Sequence, residues 1–456
     1  MIRGSLHEAA RTVRGTLRGA DAEFHGVSTD TRSIAPGQLF VALRGQRFDA
    51  HEMLDAAAEA GAAGVVVMRD STARTPSILV GDTRRALGDL AQEWRRRFRL
   101  PVIAVTGSNG KTTTKEMIAA ILRTQGPTLA TAGNLNNDIG VPLTLFRLDE
   151  DHRYAVIEMG ANRPHDIAEL VAIAAPTVAL VTMVAPAHLE GFGDVQGVAQ
   201  AKGCIYSRLP ADGVAVINAD EVWAAQWRAT AGHARVLTFG FAPGAEITAS
   251  DIVAGELGAG TRFVLHVGEQ RQAVELPFDG EHNVKNALAA AAAAHAVGVS
   301  AADIARGLAQ AARVAGRLVP KTSRGGMCVI DDSYNANPAS LAAAIALLAR
   351  QPRERWLVFG DMGELGAAAA AAHREIGELA RRAGIDRLFG VGPQAKLAVE
   401  AFGAGACWYG EASAALAALT ALDGAEATVL VKGSRYMQLD RIVEGLVQTG
   451  GGRASC

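Results

Sequence analysis

Between residues 102 and 217 the chain repeats one hydrophobic pattern. A continuous apolar run at 102–105 gives way to a Gly-rich turn and then to a helical period from Lys111 to about Thr124. Further apolar runs lie at 154–157, 179–184 and 214–217. Unbroken apolar strands separated by helices predict a buried, mostly parallel sheet with helices on both faces. Residues 236–278 alternate over shorter segments, which predicts an antiparallel edge, and an Ala-rich helix over 283–297 follows. The flanks show related patterns. Before the central block come a strand at 38–43, a helix at 51–60 ended by Gly61, a strand at 64–68 and a helix from Thr83 to about Arg97; Pro101 then interrupts. After it, a third unit starts near Gly316 and Arg317, with strands at 328–331, 356–359, 387–391 and 428–431. The prediction is an α/β protein of three units, 1–98, 99–312 and 313–456.

Composition changes this picture little. The chain has 456 residues, 49% hydrophobic and 20% charged, enough for about three cores. Its net charge of −2 offers no general attraction for nucleic acid or anionic lipid. The short runs Arg95-Arg96-Arg97 and Arg381-Arg382 read as solvated helix faces. Cys204, Cys328, Cys407 and Cys456 are widely spaced with no CxxC pair, which fits a reducing compartment and opposes a disulfide framework or a structural zinc site. The first residues lack the apolar core of a signal peptide, and the Ala-rich stretch is too short to span a bilayer. A cytoplasmic protein is expected, with neither nucleic-acid binding nor membrane insertion.

The sharpest local signal is Gly107-Ser108-Asn109-Gly110-Lys111-Thr112-Thr113, set between a strand and a helix. Glycines let backbone N–H groups turn toward one point, and the helix N-terminus adds positive potential for phosphate. Lys111 is placed to reach the β- and γ-phosphates of a nucleotide, and Thr112 to ligate magnesium. The generic phosphate loop has Gly where Val105 stands, so this is a shorter GxxGKT variant. Glu158 closes an apolar run, where open α/β sheets bind ligands. By residue type alone, His188 is as readily structural as functional, and Lys202 reads as an ordinary helical lysine. Asn283 and Asn286, at i and i+3, share one helix face beside His282, and Asn283 also suits a helix cap. Asp331-Asp332-Ser333-Tyr334-Asn335-Ala336-Asn337-Pro338 leaves a strand and enters a helix.

These runs, together with GNLNNDIGVPLTL, IEMGAN, HLEGFG, EHNVKNALAA, GDMGELG and VKGSR, resemble the Mur ligase family in order and spacing from about Ser28 to Asp440. The NLNND, DDSYNANP and GDMGELG runs are similar to those of the family's D-alanyl-D-alanine-adding branch. The resemblance implies a small UDP-substrate domain, a central P-loop domain and a Rossmann-like C-terminal domain that binds the incoming amine. It implies ATP and magnesium as cofactors, with UDP-MurNAc-tripeptide and D-alanyl-D-alanine as substrates of a monomeric ligase. Carried over, Thr112 and Glu158 hold one magnesium ion, His188 and a carbamylated Lys202 a second. His282, Asn283 and Asn286 flank the adenine, and Arg317 approaches the transferring phosphate. Asp332 meets the nucleotide and Asn335 the amine, while Lys432 and Ser434 approach the same cleft. Ser28, Thr29 and Arg32 hydrogen-bond the UDP moiety, Arg47 and His51 add positive charge, and Asn136 and Asn137 face the substrate peptide. Closure of the third domain predicts hinges near 99–101 and 313–317.

One position departs from the family: Cys204 stands where relatives usually carry Glu, so that side chain's role does not transfer. The competing readings are a sister ligase adding a diamino acid, a folylpolyglutamate synthase, a P-loop NTPase that forms no amide, and an inactive UDP-binding protein.

Overall fold

The computed structural model describes residues 1–45, 48–70 and 75–447. Three sheets follow one another along the chain, and a fourth, two-stranded one pairs Arg3–Ser5 with Glu23–His25. The first large sheet has five strands, ordered in space Thr16–Arg18, Ser77–Leu79, Gly64–Val67, Leu39–Val41 and Val27–Ser28. All of its pairings are parallel except that of Thr16–Arg18.

The central sheet has nine strands. Val102–Thr106 lies between Tyr154–Glu158 and Val178–Val181, all parallel. The chain leaves Val102–Thr106 for one side of the sheet and later crosses to the other, so the order reverses at this strand. Such a switch point opens a crevice at the strands' C-terminal ends, and the Gly-rich turn sits there. On the far side, Val214–Asn218 is followed by Arg235–Phe239 and then Ile247–Ala254, both still parallel, and antiparallel pairing begins with Thr261–Val267 and continues to Gln270–Leu276. The expected antiparallel edge is present, but it begins later than expected: residues 235–239 belong to the parallel part.

The helix Glu281–Ala296 shows why its sequence is Ala-rich. Ala289–Ala294 are at most 1% exposed, packed in the same core as Ile118, Ile121 and Leu122 of the helix Lys111–Arg123. Small side chains let the two helices approach closely. Gly110 marks the tightest point, where a Cβ would lie 2.3 Å from Asn286 Oδ1.

The third sheet has six strands, with Val319–Thr322 antiparallel at one edge. Cys328–Asp332, Thr428–Lys432, Arg355–Gly360, Arg387–Val391 and Ala406–Tyr409 run parallel beside it. Separate apolar cores fill its two faces. No helix among the described residues is long and apolar enough to cross a membrane. Cys204, Cys328 and Cys407 form no disulfide.

Candidate active site

The Gly-rich turn is pinned by its neighbours. Thr182 Oγ1 donates to the carbonyl of Asn109 at 2.6 Å, and the Ser108 N–H donates to the Met183 carbonyl at 2.8 Å. The Ser108 hydroxyl donates to the Ala185 carbonyl and accepts from the Ala185 N–H, both at 3.0 Å. Gly107 has φ 150°, and a Cβ there would lie 1.8 Å from Thr182 Oγ1, so no side chain fits. Gly110, at φ 80°, caps the helix Lys111–Arg123 and leaves its first N–H groups facing the crevice. Lys111 Nζ donates back to the Gly107 carbonyl at 2.8 Å. Burial lowers its pKa, partly offset by Glu158 and reinforced by Arg317. Thr113 is buried behind it.

Glu158 ends its strand 2% exposed. Asn136 Nδ2 donates to its Oε1 at 2.8 Å, while its Oε2 is buried with no hydrogen-bond partner. Lys202, 1% exposed at the end of the helix Val195–Gly203, lies 5.9 Å from the Phe192 ring centre. Burial, then the charge of Lys111, drives its pKa well below that of an ordinary lysine, which favours the neutral amine. His188 adopts φ 54°, and its Nδ1 lies 2.6 Å from Glu364 Oε2 without the alignment of a hydrogen bond. His188 holds the Glu364 carboxyl below its usual range. Among the described residues no three His, Cys, Asp or Glu side chains converge as a metal cluster. A magnesium ion that takes part of its shell from phosphate and water needs only one or two protein oxygens. The buried, unpaired Glu158 Oε2 suits that demand.

A cleft of about 460 Å³ opens between the central and third sheets. Lys111, His282, Asn286, Arg317, Asp332 and Lys432 line it, among others. Asn283 Nδ2 donates to the Asp279 carbonyl at 2.9 Å, and Asn286 Nδ2 to Asn283 Oδ1 at 3.0 Å, so the two amides form a ladder rather than a cap. Burial, with Lys432 nearby, pushes the His282 pKa down to about 4. From the third domain, Arg317 donates to Thr112 Oγ1 at 3.1 Å and lies over the Tyr334 ring at 4.6 Å; its Nε is buried without a partner. Asp332 pairs with Lys432 at 2.6 Å, and burial raises its pKa despite that cation. Lys432 also donates to the Asn335 carbonyl at 2.8 Å, while the Asn335 side chain accepts from the Ala336 N–H.

The first domain is less orderly as a site. Ser28 is buried, and its hydroxyl exchanges hydrogen bonds with the backbone of Asp30. Thr29 is half-buried beside it. Arg32 is turned onto Asp30 at 2.6 Å. Arg47 lies outside the described residues. His51 is turned inward: its Nε2 accepts from the Met68 N–H at 2.9 Å and its Nδ1 faces Asp49 Oδ1 at 2.6 Å, so both ring nitrogens are engaged within the domain. Asn137 Oδ1 accepts from the N–H groups of Ile139 and Gly140, which ties it to its own loop. Arg95 corrects an expectation: it is 6% exposed, not on a solvated face.

Two site residues escaped the sequence reading. Asn337 caps the helix Pro338–Leu348 and exchanges two hydrogen bonds with the Asn109 amide, at 2.7 and 3.2 Å. The Asn-Pro pair signals the cap, but nothing local signals the partner 228 residues away. Glu364, on His188, likewise has no local signature.

The Mur ligase middle domain matches residues 105–294, the Mur ligase glutamate ligase domain 316–435, and the Mur ligase catalytic domain 23–95. The chain belongs to the Mur ligase family. The UDP-N-acetylmuramoyl-tripeptide--D-alanyl-D-alanine ligase of Escherichia coli K12 is 45% identical over 453 residues, covering 99% of this chain and all of the relative. The enzyme of that name from Bacillus subtilis is 36% identical, covering 98% and 99%. Among solved structures, MurF from Acinetobacter baumannii superposes with a TM-score of 0.92 at 36% identity, covering 97% of this chain and 98% of that one. MurF of Thermotoga maritima, solved with ADP, gives 0.82 at 28% identity, covering 92% and 96%. This Mur ligase therefore matches its relatives from end to end. A folylpolyglutamate synthase, at 20% identity and TM-score 0.64, shares the fold.

Proposed function

We propose that this Mur ligase joins D-alanyl-D-alanine to the C-terminal carboxylate of UDP-N-acetylmuramoyl-tripeptide, using ATP, to give the pentapeptide precursor of peptidoglycan. The observation that carries this reading is the meeting of Lys111 and Thr112 with Arg317 across one cleft, in a chain that aligns end to end with ligases of that name.

In the first step a carboxylate oxygen of the tripeptide attacks the γ-phosphorus, the bond to ADP breaks, and an acyl phosphate forms. In the second, the dipeptide amine attacks the acyl carbon, and inorganic phosphate leaves as the amide forms. The N–H groups at the start of the helix Lys111–Arg123 cradle the β-phosphate, and Lys111 and Arg317 set cations about the γ-phosphate. Catalysis is then largely positioning and charge neutralisation. Thr112 and Glu158 would hold a magnesium ion against the phosphates, and His188 with Lys202 a second. Bound magnesium supplies charge neutralisation as negative charge shifts onto ADP. Burial favours the neutral Lys202 amine, the form that takes up carbon dioxide to give an anionic carbamate with hard oxygen donors. Asn283 and Asn286 offer amide groups to the adenine, with a His282 that stays neutral at physiological pH. Asp332, with Asn335 beside it, would meet the nucleotide and the incoming amine. Ser28, Thr29 and Arg32 would meet the UDP moiety once Arg32 leaves Asp30. The enzyme is read as a monomer, and its substrates suit the cytoplasm.

The test is ATP-dependent phosphate release with UDP-MurNAc-tripeptide, with and without D-alanyl-D-alanine. Release that needs both, with a pentapeptide product by mass, is the expected result. Release indifferent to the dipeptide would overturn it in favour of another acceptor or a plain NTPase.

A further inference from the structure

The loop that follows the strand Arg355–Gly360 is tied down residue by residue. Asp361 is 2% exposed, and its Oδ1 accepts from the Ala395 N–H at 2.7 Å, where the helix Ala395–Phe402 begins. The Met362 N–H donates to His373 Nε2 at 3.0 Å, and the buried His373 is held in turn through Nδ1 by the Ala369 carbonyl at 2.6 Å. The Gly363 N–H donates to Ser434 Oγ at 2.8 Å. Three successive residues are thus fastened to three separate segments of the C-terminal domain. The next, Glu364, takes a left-handed backbone with φ 64°, which a residue with a side chain adopts only at a cost.

Such a loop presents one side chain, and that side chain crosses to the central domain. Glu364 Oε2 lies 2.6 Å from His188 Nδ1. His188 is left-handed too, with φ 54°, at the start of the short helix Leu189–Phe192. Its ring meets the Phe192 ring edge-on, and Lys202 lies against that same phenyl ring. Glu364 is 53% exposed, and an ion pair so open to solvent adds little to domain docking by itself. Docking therefore does not account for the anchoring of the loop or the strain at its tip.

The chemistry of a ligating imidazole does account for them. A histidine that binds a metal through one nitrogen keeps its proton on the other, and the partner of that proton fixes the tautomer and the ring orientation. A carboxylate at Nδ1 retains the proton there and leaves Nε2 its lone pair. The pair is close without being aligned as a hydrogen bond, and turning the imidazole about its broad χ2 torsion would align it.

We infer that Glu364 is a positioning residue: it holds the Nδ1 proton of His188, sets Nε2 as the metal-binding nitrogen, and, because it rides on the C-terminal domain, completes the second magnesium site only when that domain is docked. This rests on the reading of His188 as a magnesium ligand given above.

The experiment counts Mn²⁺ bound to the full chain, from the EPR signal of the free ion, with a non-hydrolysable ATP analogue and UDP-MurNAc-tripeptide present. The wild type should bind a second ion that His188→Ala loses. Glu364→Ala should weaken that ion about 10- to 100-fold and leave the first within about twofold. Glu364→Gln, which keeps an acceptor oxygen without the charge, should fall between. In turnover, Glu364→Ala should lower kcat/KM in the wild-type background and add no further loss to His188→Ala. An unchanged affinity for the second ion in Glu364→Ala overturns the inference and leaves Glu364 a contact between domains. So does a loss of kcat/KM as large on His188→Ala as on the wild type. If His188→Ala keeps the second ion, the reading of His188 as a ligand falls, and this inference with it.

Discussion

The central domain meets its two neighbours through surfaces of opposite kind. On the N-terminal side one apolar core runs through both domains: Leu6, Leu87 and Trp94 belong to the same cluster as Val102, Leu145 and Val171. The helix Thr83–Arg96 is stitched to central-domain carbonyls. Trp94 Nε1 donates to Leu148, Gln92 Nε2 to Ala172, and the buried Arg95 guanidinium to Ala174 and Ala175 at the end of the helix Asp166–Ala174. On the C-terminal side the cores are separate, apart from Leu257 at the margin of one. The contacts there are polar: Asn109 with Asn337, Thr112 with Arg317, His188 with Glu364. Parting an apolar core exposes surface at about 25 cal/mol per Å². Exposed polar pairs exchange protein partners for water at a net cost near 1 kcal/mol each. The first interface is thus a weld and the second a contact that can open and close. Of the two hinges expected from the sequence, 313–317 adjoins the polar interface, while 99–101 lies beside the shared core, where motion is opposed.

The largest test of this contrast is Arg95→Ala. It leaves the carbonyls of Phe98, Ala174 and Ala175 without their donor, and should cost about 2–4 kcal/mol of stability in denaturant unfolding. KM for ATP should not move. A neutral Arg95→Ala would mean that the weld is apolar packing alone.

Asn337 offers a finer cut, because it caps a helix and docks the phosphate loop with one side chain. Asn337→Ser keeps a capping oxygen and should leave stability within about 0.5 kcal/mol, whereas Asn337→Ala should lose about 1 kcal/mol. Both remove the amide pair, so both should lower kcat/KM for ATP by about 3- to 10-fold. Full activity in Asn337→Ser would show that closure does not depend on this contact.

The smallest effect reads the opening itself. The His282 pKa is pushed to about 4 first by burial and then by Lys432 of the C-terminal domain. Since the unfolded chain binds that proton near pH 6.5, His282 costs stability progressively as pH falls from about 6.5 to 4, and nothing above that window. Lys432→Met should raise the His282 pKa in an NMR titration, and so should any condition that opens the cleft. An unmoved titration curve would place Lys432 away from His282 in solution.

The strand, Gly-rich turn and helix of residues 102–113 were legible because every part is local: a buried strand, two glycines, and a lysine at a helix start. Glu158 was legible for a related reason, since a polar residue ending an apolar run marks the strand's C-terminal end. Arg95 misled because a run of three arginines resembles a solvated face. Only the neighbouring helix end, 79 residues away, supplies carbonyls that make burial of one of them favourable. For His51 the family resemblance implied positive charge, while the Met68 N–H that occupies its Nε2 lies just past the strand Gly64–Val67, 17 residues on. That Asn136 holds the Glu158 carboxylate had no local signal, because the two lie on different elements 22 residues apart.

The sequence by itself determined the three α/β units and the strand–turn–helix of residues 102–113, because apolar periodicity reports which face of a strand or helix is buried, and turn residues report where it stops. Tertiary structure alone decided that Asn109 meets Asn337 across 228 residues and Thr112 meets Arg317 across 205. Such pairs depend on how separately folded sheets dock, and periodicity within one element holds no record of the element that will face it.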